Sequence, residues 1–345
     1  MNTENTQASI LLIYTGGTIG MIRDTLSGEL KPFNFARLLE EVPELSKFPI
    51  HIDTYSFPEP IDSSDMHPGI WIELAKLIEK QYSNYDGFVV LHGSDTMSFT
   101  ASALSFLLEN LGKPVILTGS QLPIGTIRTD GKENLITSIE IAGAKQNGKP
   151  IVPEVCIYFE YKLYRGNRTH KYNAEHFDAF HSPNYPHLAE AGVHITYNHN
   201  AIAPLPEKPL NVHTAISNQV AVLKLFPGIT PEVVNAVLGT AGLKALVLET
   251  FGSGNGPTAK WFLDALKTAA ENGLIILNIT QCSAGRVEQG RYTTSSGFQA
   301  AGITGGSDMT TETALAKLMF LLGTGKTTTE IKALLATPLA GELSV

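Results

Sequence analysis

Cysteine is almost missing from this chain: Cys156 and Cys282 are the two among 345 residues. They fall in separate apolar runs, 154–159 and 274–282, so they read as buried free thiols of a reducing compartment rather than a disulfide framework. No Cys or His pair has the spacing of zinc ligands. Long hydrophobic runs are missing as well. No stretch approaches the roughly 18 apolar residues that span a bilayer. Ile10–Tyr14, behind the polar Met1–Ser9, is too short for the apolar part of a signal peptide. Positive charge is also in short supply, with 25 Lys and Arg against 33 Asp and Glu and a net charge of -8. Without a dense basic run, a nucleic-acid partner is not expected. The expectation is a cytoplasmic globular protein with neither membrane nor nucleic acid as partner.

What the chain has in plenty is core material, 43% hydrophobic against 17% charged residues. Single cores rarely grow beyond about 250–300 residues, so two domains are expected. In the first part, strand-like runs (Ile10–Thr15, His51–Phe57, Gly87–His92, Pro114–Thr118, Val155–Phe159) alternate with helical patterns. Those helices are expected at Phe35–Val42, Trp71–Tyr82, Ser98–Leu111 and Asn134–Lys145, the third with a core-facing stripe of Leu104, Leu107, Leu108 and Leu111. Alternation of this kind predicts parallel βαβ units. Between Val193 and Asn218 the character changes, and Ala203-Pro204-Leu205-Pro206 and Lys208-Pro209 read as a connection. A second series follows: strands at Val220–Phe226, Ala245–Thr250 and Leu274–Thr280, and helices near Pro231–Leu238, Ala259–Glu271 and Thr311–Leu322. Thr327–Leu335 closes the chain as a short helix with Thr327 as cap before Glu330. The fold class is α/β in two domains, the second smaller, with boundaries at 1–195, a linker at 196–218, and 219–345.

Two strands of the first series stop abruptly in glycines and hydroxyls: Thr15-Gly16-Gly17-Thr18-Ile19-Gly20 and His92-Gly93-Ser94-Asp95-Thr96-Met97. Buried parallel strands deliver such loops to the carboxyl edge of a sheet, where α/β folds bind ligands. The first loop lacks the G-x-G-x-x-G spacing of a dinucleotide fingerprint, and a bare phosphate loop needs no pair of threonines. Taken singly, Thr18 can be a turn residue and Ser94, Asp95 or Thr96 a helix cap. A third loop, 60–66, offers Asp62, Ser63, Ser64 and Asp65, and a fourth offers Thr118-Gly119-Ser120-Gln121. Four such loops in one half exceed what capping requires. Hydroxyls and helix N-termini suit an α-carboxylate, and Asp95 suits an ammonium. A hydroxyl nucleophile needs a base. No G-x-S-x-G elbow is present. Lys171, within the polar run 164–171, forms a Ser–Lys–Asp relay if it meets Ser94 and Asp95; on spacing alone it is a surface lysine.

Several of these stretches together resemble the bacterial cytoplasmic (type I) L-asparaginases over nearly the full length. The stretches are 14–21, Asp62–Met66, Asp86-Gly87-Phe88 running into His92 and Met97, and Thr100–Leu111. Leu163–Thr169, Asn278-Ile279-Thr280-Gln281-Cys282 and Gly305-Gly306-Ser307-Asp308-Met309-Thr310 complete the set. The resemblance implies a flavodoxin-like N-terminal sheet with a left-handed crossover, against the general right-handed rule. It implies hydrolysis of L-asparagine to L-aspartate and ammonia without metal or cofactor, in a homodimer or homotetramer. Thr18 matches the nucleophile that forms a β-aspartyl ester, and Ser94, Asp95 and Lys171 match the second catalytic constellation. Asp62, Ser63 and Ser64 match substrate-binding positions, the serines on the α-carboxylate, while Asp95 also holds the α-ammonium. Backbone N–H groups near Ser94 are the candidate oxyanion hole.

Three departures from the family pattern stand out. Ser94 replaces the usual threonine, keeping the hydroxyl. The family's mobile-loop tyrosine has no counterpart in 27–32, so Tyr14 or another group compensates, or the loop only closes a lid. Glu249, Thr280 and Cys282 mark a possible effector site, where Glu249 replaces an arginine and would repel an effector's carboxylate. Four rivals remain. A broader glutaminase-asparaginase differs by one substrate methylene, worth about 1–3 kcal/mol. D-Asparagine is a further substrate to test. An amidotransferase subunit would carry an extra N-terminal domain, and a non-catalytic amino-acid sensor would need neither Thr18 nor Lys171.

Overall fold

A computed structural model describes residues 7–23, 30–32, 42–289 and 293–344. The chain divides between Thr214 and Ala215 into two compact units. In the first unit the strands of the main sheet are β1 (Ala8–Gly16), β2 (Ile50–Ile61), β3 (Gly87–Leu91), β4 (Val115–Thr118), β5 (Val155–Phe159), β6 (Lys162–Arg165), β7 (Ala189–Ala191) and β8 (Ile195–Tyr197). They form one sheet in the order β8-β7-β6-β5-β4-β3-β1-β2. The five strands from β2 to β5 are mutually parallel, and β6, β7 and β8 extend the sheet antiparallel. The parallel order 2-1-3-4-5 is the flavodoxin-like arrangement, whose switch point lies between β1 and β3.

These strands form where they do because both of their faces are covered. Every residue of β3, β4 and β5 is buried, so each reads as a continuous apolar run and not an alternation. Helices α1 (Pro68–Gln81), α2 (Met97–Leu107) and α3 (Gly131–Gly143) supply the cover. In α1, Pro68 starts the helix and Trp71, Leu74, Ala75 and Ile78 make one buried stripe.

The helix expected to reach Leu111 ends four residues early. Leu108–Glu109 instead pairs antiparallel with Asn211–Val212, and Asn110 takes a left-handed φ of 58°. The leucine stripe stays buried through Leu108 and Leu111, which is why periodicity overran the true end. The segment 196–218, expected as a linker, holds the division between the units and carries short strands before it. Ile195–Tyr197 is the last strand of the sheet and Asn211–Val212 a ribbon strand, so polar, proline-rich chain still finds backbone partners within the first unit. The helix expected over 35–42 falls almost wholly outside the described residues, as does 27–29 of the lid stretch.

The second unit holds a four-stranded parallel sheet, β9 (Val220–Lys224), β10 (Ala245–Thr250), β11 (Ile275–Thr280) and β12 (Thr304–Gly305), in that order. Around it lie α4 (Pro231–Leu238), α5 (Lys260–Glu271), α6 (Thr293–Ala300), α7 (Thr311–Gly323) and α8 (Thr328–Leu335). Thr327 caps α8 in a reciprocal capping box with Glu330, as its sequence predicts. Lys317 of α7 is fully buried, with its Nζ 2.5 Å from Glu342 and 2.7 Å from the Thr337 carbonyl oxygen. Among the described residues, no helix is long and apolar enough to cross a membrane.

Candidate active site

The loops that follow β1 and β3 meet at the switch point because glycine lets them. Gly17 has φ 89°, and a Cβ on it would stand 2.5 Å from the Gly93 backbone nitrogen. Gly16, at φ 138°, abuts the Ile61 carbonyl oxygen so closely that a side chain has no room. The backbones of three loops therefore touch with nothing between them, which only residues without a Cβ permit. Thr18 begins a single 3-10 turn, Thr18–Gly20, directly after this contact. Its side chain is half-buried, and its hydroxyl makes no hydrogen bond among the described residues.

Beneath the turn, Tyr14 is buried and its hydroxyl donates to the Gly20 carbonyl at 3.2 Å. Burial pushes its phenol up to about 12. Tyr14 thus buttresses the Thr18 turn from the core side and does not line the cleft, which removes it as a stand-in for the missing lid tyrosine.

After β3 the chain makes the 3-10 turn Ser94–Thr96 and runs straight into α2. Backbone N–H groups at this junction sit at the positive end of the helix, a favourable place for developing negative charge. Lys171 arrives from a short ribbon in which it pairs with Phe180. Its ammonium donates to Ser94 Oγ at 2.8 Å and to Asp95 Oδ1 at 2.6 Å. The lysine side chain is 13% exposed and that of Asp95 69% exposed. The expected Ser–Lys–Asp contact therefore exists, across 77 residues of sequence.

The third loop adds Asp62, which caps the turn Ser63–Asp65 by accepting from the Ser64 N–H at 2.9 Å and the Ser64 hydroxyl at 2.8 Å. These two bonds hold its carboxyl below the usual carboxylate range. Ser63 is buried against Gly93, and its carbonyl accepts from the Thr96 hydroxyl at 2.7 Å.

One cleft of about 170 Å³ is lined by Gly17, Thr18, Asp62, Ser63, Ser94, Asp95, Gln121 and Lys171, together with Met21, Gly93 and Ala174. Drug-sized ligands fill roughly 300–1,000 Å³, so this space suits a smaller polar molecule. Of the sequence-predicted residues, Ser64 alone of the first-unit set does not line it. Its hydroxyl is turned to Asp62.

Gln121, in the sequence only the last residue of the fourth loop, has a place of its own in the cleft. It accepts weakly from Ser94 Oγ at 3.4 Å and donates to the His176 carbonyl at 3.0 Å. Its backbone is fixed by Asp130, whose carboxylate accepts from the N–H groups of Gln121 at 2.9 Å and Leu122 at 3.2 Å. Burial raises the Asp130 carboxyl despite those bonds. From sequence, Asp130 is indistinguishable from an ordinary cap of α3.

His92 is fully buried below the second loop. Its Nδ1 lies 2.6 Å from the Gly93 carbonyl oxygen and its Nε2 lies 2.9 Å from Thr100 Oγ1. That oxygen in turn accepts from Trp71 Nε1 at 3.0 Å. Burial pulls the imidazole down to about 4, so it is neutral above that pH.

The three remaining candidates, Glu249, Thr280 and Cys282, lie in the second unit. Glu249 accepts from the Thr311 hydroxyl at 2.6 Å and stands 3.6 Å from Lys224 Nζ. The Thr280 hydroxyl donates to the Gly252 carbonyl at 2.5 Å and accepts from the Cys282 N–H at 3.0 Å. Cys282 is an exposed free thiol, unlike the buried Cys156. Among the described residues, no three His, Cys, Asp or Glu side chains gather as a metal site.

Residues 9–203 match the family model "Asparaginase, N-terminal", and residues 219–335 match "Glutaminase/Asparaginase C-terminal domain". L-asparaginase 1 of Escherichia coli (strain K12) is 44% identical over 343 residues, 97% of this chain and 98% of that protein. The crystal structure of L-asparaginase I from Vibrio cholerae aligns at a TM-score of 0.90 with 40% identity, covering 98% of this chain and 100% of that one. The thermostable L-asparaginase from Thermococcus kodakarensis aligns at 0.89 with 29% identity, over 98% and 99%.

Proposed function

This chain belongs to the asparaginase family and is an L-asparagine amidohydrolase; we propose that Thr18 is its nucleophile and Lys171, Ser94 and Asp95 its proton-handling group. The observation that carries the assignment is the Lys171 ammonium, 2.8 Å from Ser94 Oγ and 2.6 Å from Asp95 Oδ1, in the cleft that Thr18 lines. A lysine held between a hydroxyl and a carboxylate relays protons through the Ser94 oxygen, the task a hydroxyl nucleophile leaves undone.

L-Asparagine enters with its α-ammonium against the carboxylates of Asp62 and Asp95. Its α-carboxylate lies toward the Ser63 hydroxyl and the N-terminal end of α2. Lys171 Nζ passes a proton to Asp95 Oδ1 and takes that of the Ser94 hydroxyl, and Ser94 Oγ takes the Thr18 proton as Thr18 Oγ1 attacks the side-chain amide carbon. The oxyanion that forms is met by the Ser94 N–H. Collapse of the tetrahedral adduct breaks the C–N bond, the relay proton leaves with ammonia, and a β-aspartyl ester remains on Thr18. Water, deprotonated by the same relay, attacks the ester carbon; the bond to Thr18 Oγ1 breaks, the relay returns the proton to that oxygen, and L-aspartate is released. Ser64 acts through Asp62, which it holds ionised, and not by direct contact.

We further propose a homodimer or homotetramer, and a cytoplasmic location, where the exposed Cys282 thiol stays reduced. Light scattering on the purified chain and cell fractionation check these two points. For the nucleophile, hydroxylamine added during turnover should divert product to β-aspartyl hydroxamate. Acid quench should leave an aspartyl adduct on the peptide containing Thr18. An adduct on another residue, or none, removes Thr18 from the role.

A further inference from the structure

His92 does not line the cleft and, among the described residues, makes no hydrogen bond to a lining side chain, yet it is fully buried with both ring nitrogens engaged. From that placement we infer that His92 is a positioning residue for the reaction: it pins the Gly93 carbonyl inward and thereby turns the Ser94 N–H out toward the substrate. This step rests on the Ser94 N–H being the oxyanion donor proposed above.

The reasoning starts from one peptide plane. A carbonyl oxygen only accepts, so the 2.6 Å contact with Gly93 requires the proton on His92 Nδ1. The other nitrogen then accepts from the Thr100 hydroxyl, and that hydroxyl oxygen accepts from Trp71 Nε1–H, which can only donate. The three residues leave one consistent proton arrangement: indole to hydroxyl, hydroxyl to imidazole, imidazole to carbonyl. Burial keeps the ring neutral, so no second proton on Nε2 disturbs this direction.

The Gly93–Ser94 peptide is trans, so its C=O and N–H point in opposite directions. With the carbonyl held toward the buried imidazole, the Ser94 N–H faces away from it, to the side where the cleft lies. That N–H makes no hydrogen bond among the described residues, as expected of a donor kept for a ligand. Gly93 cannot easily turn by itself, because it is wedged between Gly17 and the Ser63 side chain. The histidine fixes the last freedom, rotation of the peptide plane about its ends. An oxyanion donor works by being aimed beforehand, and removing one costs about 10²–10³ in kcat.

Two substitutions separate aiming from bulk. In His92→Asn the amide nitrogen stands where Nδ1 stood and still donates to Gly93. In His92→Gln the amide oxygen reaches the Nε2 position, still accepting from Thr100, and the donor to Gly93 is lost. For the full-length enzyme, ammonia release by His92→Gln should show kcat at least about 10-fold lower with KM within about twofold. His92→Asn should keep kcat within about threefold of wild type although both variants lose thermal stability. A purely structural histidine predicts kcat following stability in both; equal kcat in the two, or a loss confined to KM, overturns the inference.

If either variant does not fold, the nitrogen-15 shifts of the wild-type imidazole decide. The Nδ1–H tautomer supports the assignment and the Nε2–H tautomer overturns it. Thr18→Val is the control: should it retain wild-type ammonia release, the underlying catalytic reading fails. An inactive Thr18→Val with equal kcat in both His92 variants overturns only the role of His92.

Discussion

The parallel strands of the two sheets end in loops rich in glycine and hydroxyls and use them in opposite ways. At the carboxyl edge of β1 and β3, the hydroxyls of Thr18 and Ser63 and the N–H of Ser94 make no hydrogen bonds among the described residues. At the carboxyl edge of β10 and β11 the side chains of Thr250, Thr280, Gln281 and Glu249 are consumed internally. Thr250 Oγ1 donates to Asn278 Oδ1 at 2.7 Å, and Thr280 is bonded on both sides. Gln281 Nε2 reaches the carbonyls of Leu225 at 2.7 Å and Glu249 at 2.8 Å. Glu249 itself is taken by Thr311. Buried polar groups find partners wherever the chain provides them. An edge that leaves two hydroxyls and an N–H without partners is therefore one that the fold holds open for a ligand. Threonine and glycine after a strand mark both edges, and saturation distinguishes them.

The largest effect should come from the one hydroxyl of the open edge that does covalent work. Thr18→Val keeps the shape, and kcat for ammonia release should fall by about 10⁴-fold or more, as loss of a nucleophile does elsewhere. Far-ultraviolet circular dichroism and melting temperature should stay near wild type, because Thr18 Oγ1 supports nothing in the fold. Next comes Lys171→Met, which keeps the stem and removes the charge. General acid–base help is worth about 10²–10⁴, and kcat should fall by that order. A loss appearing in KM with kcat intact would make Lys171 a binding residue and narrow the contrast between the edges.

A stability difference follows from His92. Its folded value of about 4 lies below the ordinary 6.5, so protons bind the unfolded chain first. The stabilisation is complete above pH 6.5 and is lost as pH falls from 6.5 toward 4, amounting to roughly 3 kcal/mol. All ten histidines precede residue 215, so the second unit has no group of this kind. Melting temperature measured between pH 7 and 4 should drop more steeply for wild type than for His92→Asn. Parallel curves would mean that another group governs the acid transition.

Much of this contrast was readable before any coordinates, and its limits have physical causes. Strands covered on both faces write themselves as unbroken apolar runs, so β3, β5, β10 and β11 stood out to within a residue or so. The antiparallel additions β6, β7 and β8 are short, and Glu190 and Thr196 face solvent, so they carried no run to detect. Helix α6 has the sequence Thr-Thr-Ser-Ser-Gly-Phe-Gln-Ala, without an apolar period. At the site, Thr18, Ser94 and Asp95 were visible as hydroxyls and a carboxylate on strand-ending glycine loops. The meeting of Lys171 with Ser94 is a tertiary fact that no local pattern encodes. Gln121, Asp130 and the Trp71–Thr100–His92 chain were hidden for a different reason. Each looks like a cap or a core residue, and what gives it a role is the backbone group it holds.

The closed edge supplies the smallest and most discriminating test. Thr250→Val in β10 is nearly isosteric, so packing changes little. It removes the proton given to Asn278 Oδ1 and leaves that buried acceptor with one partner fewer. The expected cost is about 1–3 kcal/mol in unfolding free energy, read from urea denaturation. The kcat for asparagine should be unchanged, and velocity should rise hyperbolically with asparagine in both wild type and variant. With Glu249 engaged by Thr311 and set against Lys224, the nearby cation already faces a carboxylate of the chain, and a second molecule of asparagine meets the wrong charge at position 249. Sigmoidal kinetics in the wild type that Thr250→Val abolished would show the second edge to be a ligand site after all, and saturation of its hydrogen bonds would then no longer separate the two.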